Sequence, residues 1–472
     1  MGIDWIEILV FLLLLVCLSP LLGTYIAYIF GGKGREIPFV RGFEKLCYRV
    51  CGINAKEEMS WTTYAKALFL FNLLGFIAVF LLLVLQYYLP LNPEQMQGVS
   101  FPLAFNTAIS FVTNTNWQAY AGETTLSYAT QMWGLTVQNF LSAATGMCVL
   151  LALIRGIVRK KANTIGNFWV DLFRTIIYLL LPLSILLATF LVSQGVVQTL
   201  APYHKVTTLE NDSQTIPIGP VASQVAIKQI GTNGGGFYHA NSSHPFENPT
   251  PLSNFLEIFA IVLIPASIPF AYGSIVGSKK QGLLLFVVML ILWGGGLALS
   301  LASEGIHNPV LNAFPNWEGK EIRFGISNSL LWSTSTTAIA NGSVNTTLSS
   351  LSPIAGGVAL FNIMLGELIF GGIGVGLSSM IMFCLLSVFI SGLMIGRTPE
   401  FLGKKIERAE MRWVVTAVLL PGVLILLGSG ISLLIPEALS KIGSKGPHGL
   451  SELLYAFAST AGNNGSAFTL LK

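Results

Sequence analysis

Residues 221–237 read VASQVAIKQIGTNGGGF. The weakly polar run is too short for the ~20 residues that a helix needs to cross a bilayer. It closes on Thr232, Asn233 and Gly234 to Gly236, residue types that accept left-handed backbone. Three other stretches end in the same way: FNTAISFVTNTNWQ at 105–118, SLLWSTSTTAIANGSVN at 329–345 and LLYAFASTAGNNGSAF at 453–468. The clusters, marked by Asn114, Gly234, Gly342 and Gly465, recur roughly every 110–120 residues, a period that signals one supersecondary unit used several times. A single cluster of this kind is ordinary turn chemistry. Four at matching places are a repeat of helix, re-entrant half-helix, tight loop and helix.

The sequence around these loops is that of an all-α polytopic membrane protein. Of the 472 residues, 53% are hydrophobic and 10% charged, with a mean hydropathy of +0.69. A soluble domain carries about 25% charge, so most of this surface must face lipid. Lys and Arg number 26 against 22 Asp and Glu, for a net +4, and no basic face is clustered, which excludes nucleic-acid binding. The five cysteines form no disulfide framework; Cys47 and Cys51 alone sit in a polar segment. Eight apolar spans are predicted, at 5–30, 63–87, 132–156, 168–194, 252–273, 281–302, 354–396 and 412–435. The seventh is twice the needed length and is interrupted by Gly371, Gly372, Gly374 and Gly376, a broken helix that is tolerated at membrane depth only beside a cavity or within protein.

Basic residues orient the chain. Lys33, Arg35, Arg41, Lys45, Arg49 and Lys56 lie in 31–60, Arg155, Arg159, Lys160 and Lys161 in 155–167, Lys279 and Lys280 in 274–281, and Arg397, Lys404, Lys405, Arg408 and Arg412 in 397–412. The alternate segments hold only Lys205, Lys228, Lys320, Arg323, Lys441 and Lys445 before Lys472. The expectation is an outside N-terminus with cytoplasmic basic loops, and all four clusters on the outer side.

A ring of such clusters suits a cation. An ion that leaves water needs replacement oxygens, which backbone carbonyls in a narrow pore can supply. Half-helices aimed inward add negative dipole ends. No acidic ring appears, since Glu123 and Glu247 lie beyond the clusters. Neutral oxygens fit a large monovalent ion better than Mg²⁺ or Ca²⁺, which want carboxylates.

Six motifs carry a resemblance to a known family: TNTNWQAYAGE (113–123), GTNGGGFYHANSSHPFENPTP (231–251), ANGSVN (340–345), GELIFGGIGVGL (366–377), GRTPEFLGKKIE (396–407) and AGNNGSAF (461–468). Over nearly its whole length the chain resembles the potassium-binding A subunit (KdpA) of the Kdp potassium-transporting P-type ATPase. The resemblance implies four pseudo-repeated M1–P–M2 potassium-channel-like units around a central pore, plus one extra N-terminal helix. The expected units are 1–60 (N-terminal helix and cytoplasmic loop), 61–165, 166–280, 281–411 (with the glycine-broken gating helix) and 412–472. The fourth is truncated after its pore loop, because the family continues beyond the point where this chain stops, at Lys472.

The resemblance further implies a selectivity filter of Asn114, Thr115, Asn116 and Gln118; Thr232, Asn233 and Gly234; Ala340, Asn341 and Gly342; and Gly462, Asn463, Asn464 and Gly465. Glu367, the four glycines of the seventh span and Arg397 would form the gate or ion path below it. The resemblance also implies potassium as the transported ion, with no other cofactor bound by this chain. Expected partners are a catalytic P-type ATPase subunit and accessory small subunits, in a bacterial plasma (inner) membrane. The runner-up is a self-standing potassium channel or symporter of the same superfamily.

The chain does not read as an enzyme. It lacks G-x-x-x-x-G-K-[ST], Asp-Lys-Thr-Gly and H-E-x-x-H, and its loops are too short for a nucleotide domain, so ATP hydrolysis falls to a partner. The glycine run 371–376 lacks the strand and helix of a dinucleotide site. Ionisable residues in spans are costly and prompt functional readings. Asp171 and Arg174, three apart, are expected to pair at the interface, Glu257 to complement a helix dipole, and Glu367 to serve function beside the glycines. His204, His239, His244, His307 and His448 are expected in outside loops, with His239 and His244 as surface residues.

Overall fold

The structure, a computed structural model, describes residues 5–31, 38–306 and 316–468. Lys33, Arg35, His307 and Lys472, named above, lie outside these residues. Among the described residues, eight helices are long and apolar enough to cross a membrane: α1 (Trp5–Phe30), α3 (Trp61–Val84), α5 (Thr130–Val158), α6 (Phe168–Ser193), α8 (Pro251–Val276), α9 (Lys279–Glu304), α12 (Val375–Met394) and α13 (Arg408–Ser432). Between α1 and α3 runs an amphipathic helix, α2 (Pro38–Val50). The chain is a multi-pass membrane protein.

Four further helices stop short: α4 (Phe101–Val112), α7 (Val221–Ile230), α10 (Gly325–Ile339) and α14 (Pro447–Ala461). At 1.5 Å per residue none exceeds about 23 Å, below the ~30 Å of a hydrocarbon core. The predicted seventh span is broken, as its glycines required: α11 (Pro353–Met364) ends, an irregular stretch follows, and α12 begins at Val375. Backbone freed from helical bonding is held here within protein, since Ile369, Phe370 and Ile373 are buried.

The spans are unequal in burial. In α8, 78% of the most apolar window is buried, against 11% in α3, so α8 is the central post and α3 faces lipid. Helix α1 packs along α8, with Gly23 against the backbone of Ser267 and Phe11 wedged among Phe255, Phe259 and Trp293 at 5.7–5.9 Å between ring centroids. In lipid such contacts act through dispersion and close backbone approach rather than through water exclusion.

The basic side of the molecule is tied by ion pairs. Arg155 clamps Asp171 with two bonds of 2.5 and 2.8 Å, and Tyr64 donates to the same carboxylate at 3.0 Å. Arg174 instead reaches Glu44 on α2 at 2.9 Å. The expected Asp171–Arg174 pair is therefore wrong: each residue has a partner from another helix. A small hairpin of β3 (Glu400–Phe401) and β4 (Lys404–Lys405) follows α12. Its Lys404 caps α5, donating to Gly156 O at 2.6 Å and Arg159 O at 2.5 Å. An earlier hairpin pairs β1 (His204–Thr207) with β2 (Ser213–Ile216).

Candidate functional site

Each short helix ends by the same local device. The residue one or two places past its end is left-handed: Asn114 (φ +69°), Thr232 (+52°), Ala340 (+57°) and Asn463 (+51°). Such a residue ends a helix and turns the chain back on itself. In three of the four, the next N–H returns to the last turn: Asn233 to Lys228 O at 2.9 Å, Asn341 to Thr336 O at 3.2 Å and Asn464 to Ser459 O at 2.8 Å. In the first loop the bond falls one residue later, from Asn116 to Ser110 O at 3.0 Å.

The four loops meet one another in a closed circuit. Loops one and two join where Asn114 Nδ2 donates to Thr232 O (3.1 Å), Asn233 Nδ2 to Asn114 Oδ1 (2.5 Å), and Gln118 exchanges bonds of 3.0 and 3.2 Å with the Gly236 backbone. Loops two and three join at Gly342 N to Asn233 O, 3.3 Å. Loops three and four join at Asn464 Nδ2 to Thr336 O (2.7 Å) and Asn341 O (3.3 Å). The circuit closes at Thr115 Oγ1 to Asn463 Oδ1, 3.1 Å.

Glycine is required where these backbones approach. A Cβ on Gly342 would strike Asn464 O, and one on Gly465, itself at φ +86°, would strike Thr115 O. The first loop carries Asn116 at the corresponding place, and its amide turns aside to Asn139 Oδ1 on α5 at 2.7 Å. Asn116 Oδ1 and Asn233 Oδ1 are buried and accept no hydrogen bond from the protein.

Over the circuit lies a cavity of about 630 Å³, lined by Asn116, Gly234, Gly342 and Gly465 from the four loops and by Gln118, His239, Asn241 and Lys320 around them. Burial pulls the Lys320 ammonium below its ordinary pKa, against the opposing effect of Glu304, whose Oε2 is 3.5 Å away. Below the circuit is the glycine-broken stretch. Thr232 Oγ1 accepts from Ile373 N at 3.2 Å, and buried Glu367 accepts from Gly372 N at 3.1 Å. Gly371 and Gly374 have φ of +62° and +82°, and Gly376 packs on Phe370 O. Among the described residues, no group of three His, Cys, Asp or Glu is placed to hold a metal ion.

The expected filter residues thus come together, Gly462 included as the residue that ends α14, and Glu367 and the four glycines sit beneath them. Arg397 does not join. It is exposed beyond the far end of α12, about 30 Å of helix from the glycines.

Several neighbours were not foreseen. Lys228, expected in an outside loop, is fully buried in the last turn of α7, 2.6 Å from the equally buried Glu247. Glu257 complements no helix dipole; it lies past the first turn of α8 and accepts from Gln229 Nε2 at 2.7 Å and Ser242 Oγ at 3.0 Å. The signal available was an ionisable residue inside a half-helix, a costly placement that demands a partner. His239 is exposed as expected, whereas His244 is half-buried and stacked on Tyr238 at 3.8 Å, with burial lowering its pKa.

A bundle of apolar spans that holds four short helices by their tips around a polar, glycine-lined centre defines an integral membrane protein built to handle a small solute. The chain belongs to the KdpA family, the potassium-transporting ATPase A subunit, which matches residues 9–472. It is 53% identical over 471 residues to the potassium-transporting ATPase potassium-binding subunit of Leptospira interrogans serogroup Icterohaemorrhagiae serovar copenhageni, covering 99% of this chain and 83% of the relative. It is 51% identical to the subunit of the same name from Pseudomonas syringae pv. tomato, covering 98% and 84%. Its fold is similar to that of the potassium transporter TrkH from Vibrio parahaemolyticus, with a TM-score of 0.54 at 18% identity, over 97% of this chain and 89% of that one.

Proposed function

We propose that this chain is the potassium-binding and translocating subunit of an ATP-driven, high-affinity potassium uptake complex. Potassium enters the cavity from outside, sheds water among the four loops and is held above the glycine-broken stretch until the catalytic P-type ATPase subunit draws it onward. The chain itself hydrolyses nothing; accessory small subunits and a bacterial inner-membrane setting, with the basic loops cytoplasmic, complete the reading.

The filter in this reading is Asn114–Asn116 with Gln118, Thr232–Gly234, Ala340–Gly342 and Gly462–Gly465, one contribution from each of four related units. Glu367 and Gly371–Gly376 gate it from below. Arg397 marks a cytoplasmic contact with the partner rather than the filter's base.

The single observation that carries the proposal is the closure of the loop circuit, one to two to three to four and back to one. Uncharged oxygens on a common ring can stand in for a monovalent ion's hydration shell, and membership of a family whose curated members are named potassium-binding subunits selects potassium. The test is thermal unfolding of the purified protein in potassium against sodium. Binding of the folded form alone stabilises by about 2.7 kcal/mol at a hundredfold excess over Kd; identical melting in the two salts overturns the proposal. Potassium flux through the isolated chain in vesicles, without ATPase subunits, would favour the channel reading.

A further inference from the structure

Lys228 is the buried ammonium that the ring chemistry leaves unexplained. Its three donors are filled by Asn241 Oδ1 at 3.0 Å, Ser242 Oγ at 2.8 Å and Glu247 Oε2 at 2.6 Å. An ammonium can only donate, so it fixes which end of the Asn241 amide faces it. The oxygen of Asn241 turns to Lys228 and to the Ser242 N–H at 2.8 Å. Its NH₂ is thereby left to face the ring, where it donates to the carbonyl of Gly234 at 2.7 Å. Glu247 closes the arrangement from the other side, with Oε1 accepting from Tyr238 N at 2.9 Å. The other three short helices carry no basic residue in their last turn, so this device acts on one quadrant alone.

We propose that Lys228, Asn241 and Glu247 are positioning residues that hold the Gly234 carbonyl at a fixed reach and thereby set the discrimination between potassium and the smaller sodium. The inference rests on the reading of the ring as a potassium site. A carbonyl free to swing can close on a smaller cation, whereas one whose oxygen is engaged by the Asn241 amide at 2.7 Å is restrained from following it. Gly234 and Asn241 both line the cavity over the ring, so the restraint acts at the entrance, where dehydration begins.

The experiment uses the whole complex in membranes, with potassium uptake measured at micromolar concentrations and with sodium as competitor. Asn241→Asp keeps the size, the left-handed backbone (φ +53°) and a partner for Lys228, but places an acceptor against the Gly234 carbonyl. Asn241→Gly removes the bridge without backbone strain. Both are expected to raise half-saturation for potassium about tenfold and to admit sodium competition, with maximal rate and membrane abundance within about twofold of wild type. Unchanged half-saturation and sodium exclusion in the two variants would overturn the proposal. So would loss of both from the membrane, which would make the cluster a folding element. If the wild-type complex itself takes up no potassium in this range, it is the underlying reading of the ring that fails, and the two failures are told apart by that control.

Discussion

Asn233 and Asn114 interlock across the seam between the first two loops: Asn233 Nδ2 lies 2.5 Å from Asn114 Oδ1, and Asn114 Nδ2 returns a bond of 3.1 Å to the Thr232 carbonyl next door. The Asn233 amide also reaches Asn139 O and Ser142 Oγ at 3.3 Å on α5. Asn233→Asp replaces that donor by an acceptor facing two acceptors, Asn114 Oδ1 and Asn139 O, and the Ser142 hydroxyl can turn to it only by giving up its own 2.7 Å bond to Asn114 Oδ1. Leaving buried groups unpaired costs about 1–3 kcal/mol each. Thermal unfolding of the purified variant is expected at a clearly lower midpoint, together with weaker potassium uptake; wild-type melting would show that the seam has little energetic weight.

Gly342→Asp should abolish uptake at micromolar potassium. Its Cβ would collide with Asn464 O, and the carboxylate would enter a ring of uncharged oxygens. Uptake at wild-type half-saturation would contradict the placement of Gly342 on the ion's route.

At the mouth, Gln118 both accepts from and donates to the Gly236 backbone. Gln118→Arg loses the accepting half of that exchange and adds a positive charge beside the cavity. Half-saturation for potassium should rise at least about tenfold, equivalent to roughly 1.4 kcal/mol, with maximal rate less affected. The measurement is uptake against concentration, repeated at raised ionic strength, where screening should narrow the gap.

Far from the ring, Asp171→Ala should reduce the folded protein without altering potassium affinity in what remains. It strands Arg155, and breaking a buried pair costs about 3–5 kcal/mol. The lower end is expected, because the Arg155 side chain keeps 17% exposure to solvent. Membrane abundance and half-saturation, measured on the same preparation, separate the two effects.

The spans and the ring were legible in the sequence because both depend on local chemistry. Twenty apolar residues announce a crossing wherever they stand, and glycine or asparagine after a short weakly polar helix announces a left-handed turn. Gly371 to Gly376 announced the break between α11 and α12 for the same reason. Pairing was not legible. Asp171 and Arg174, three apart on one helix, look like mutual partners, yet Arg155 and Glu44 arrive from α5 and α2. Lys228 looked like a loop lysine because Glu247 and Asn241, which allow its burial, are only brought to it by the fold. Arg397, placed with the glycines by the resemblance alone, is held away from them by the length of α12.

The grip of Lys404 on Gly156 and Arg159 links positions 248 and 245 apart in the chain. It acts as a clasp at one rim of the bundle. A stroke that began at that rim would have to open the clasp or drag α5 along with it, and α5 carries Asn139 and Ser142, on which the ring leans.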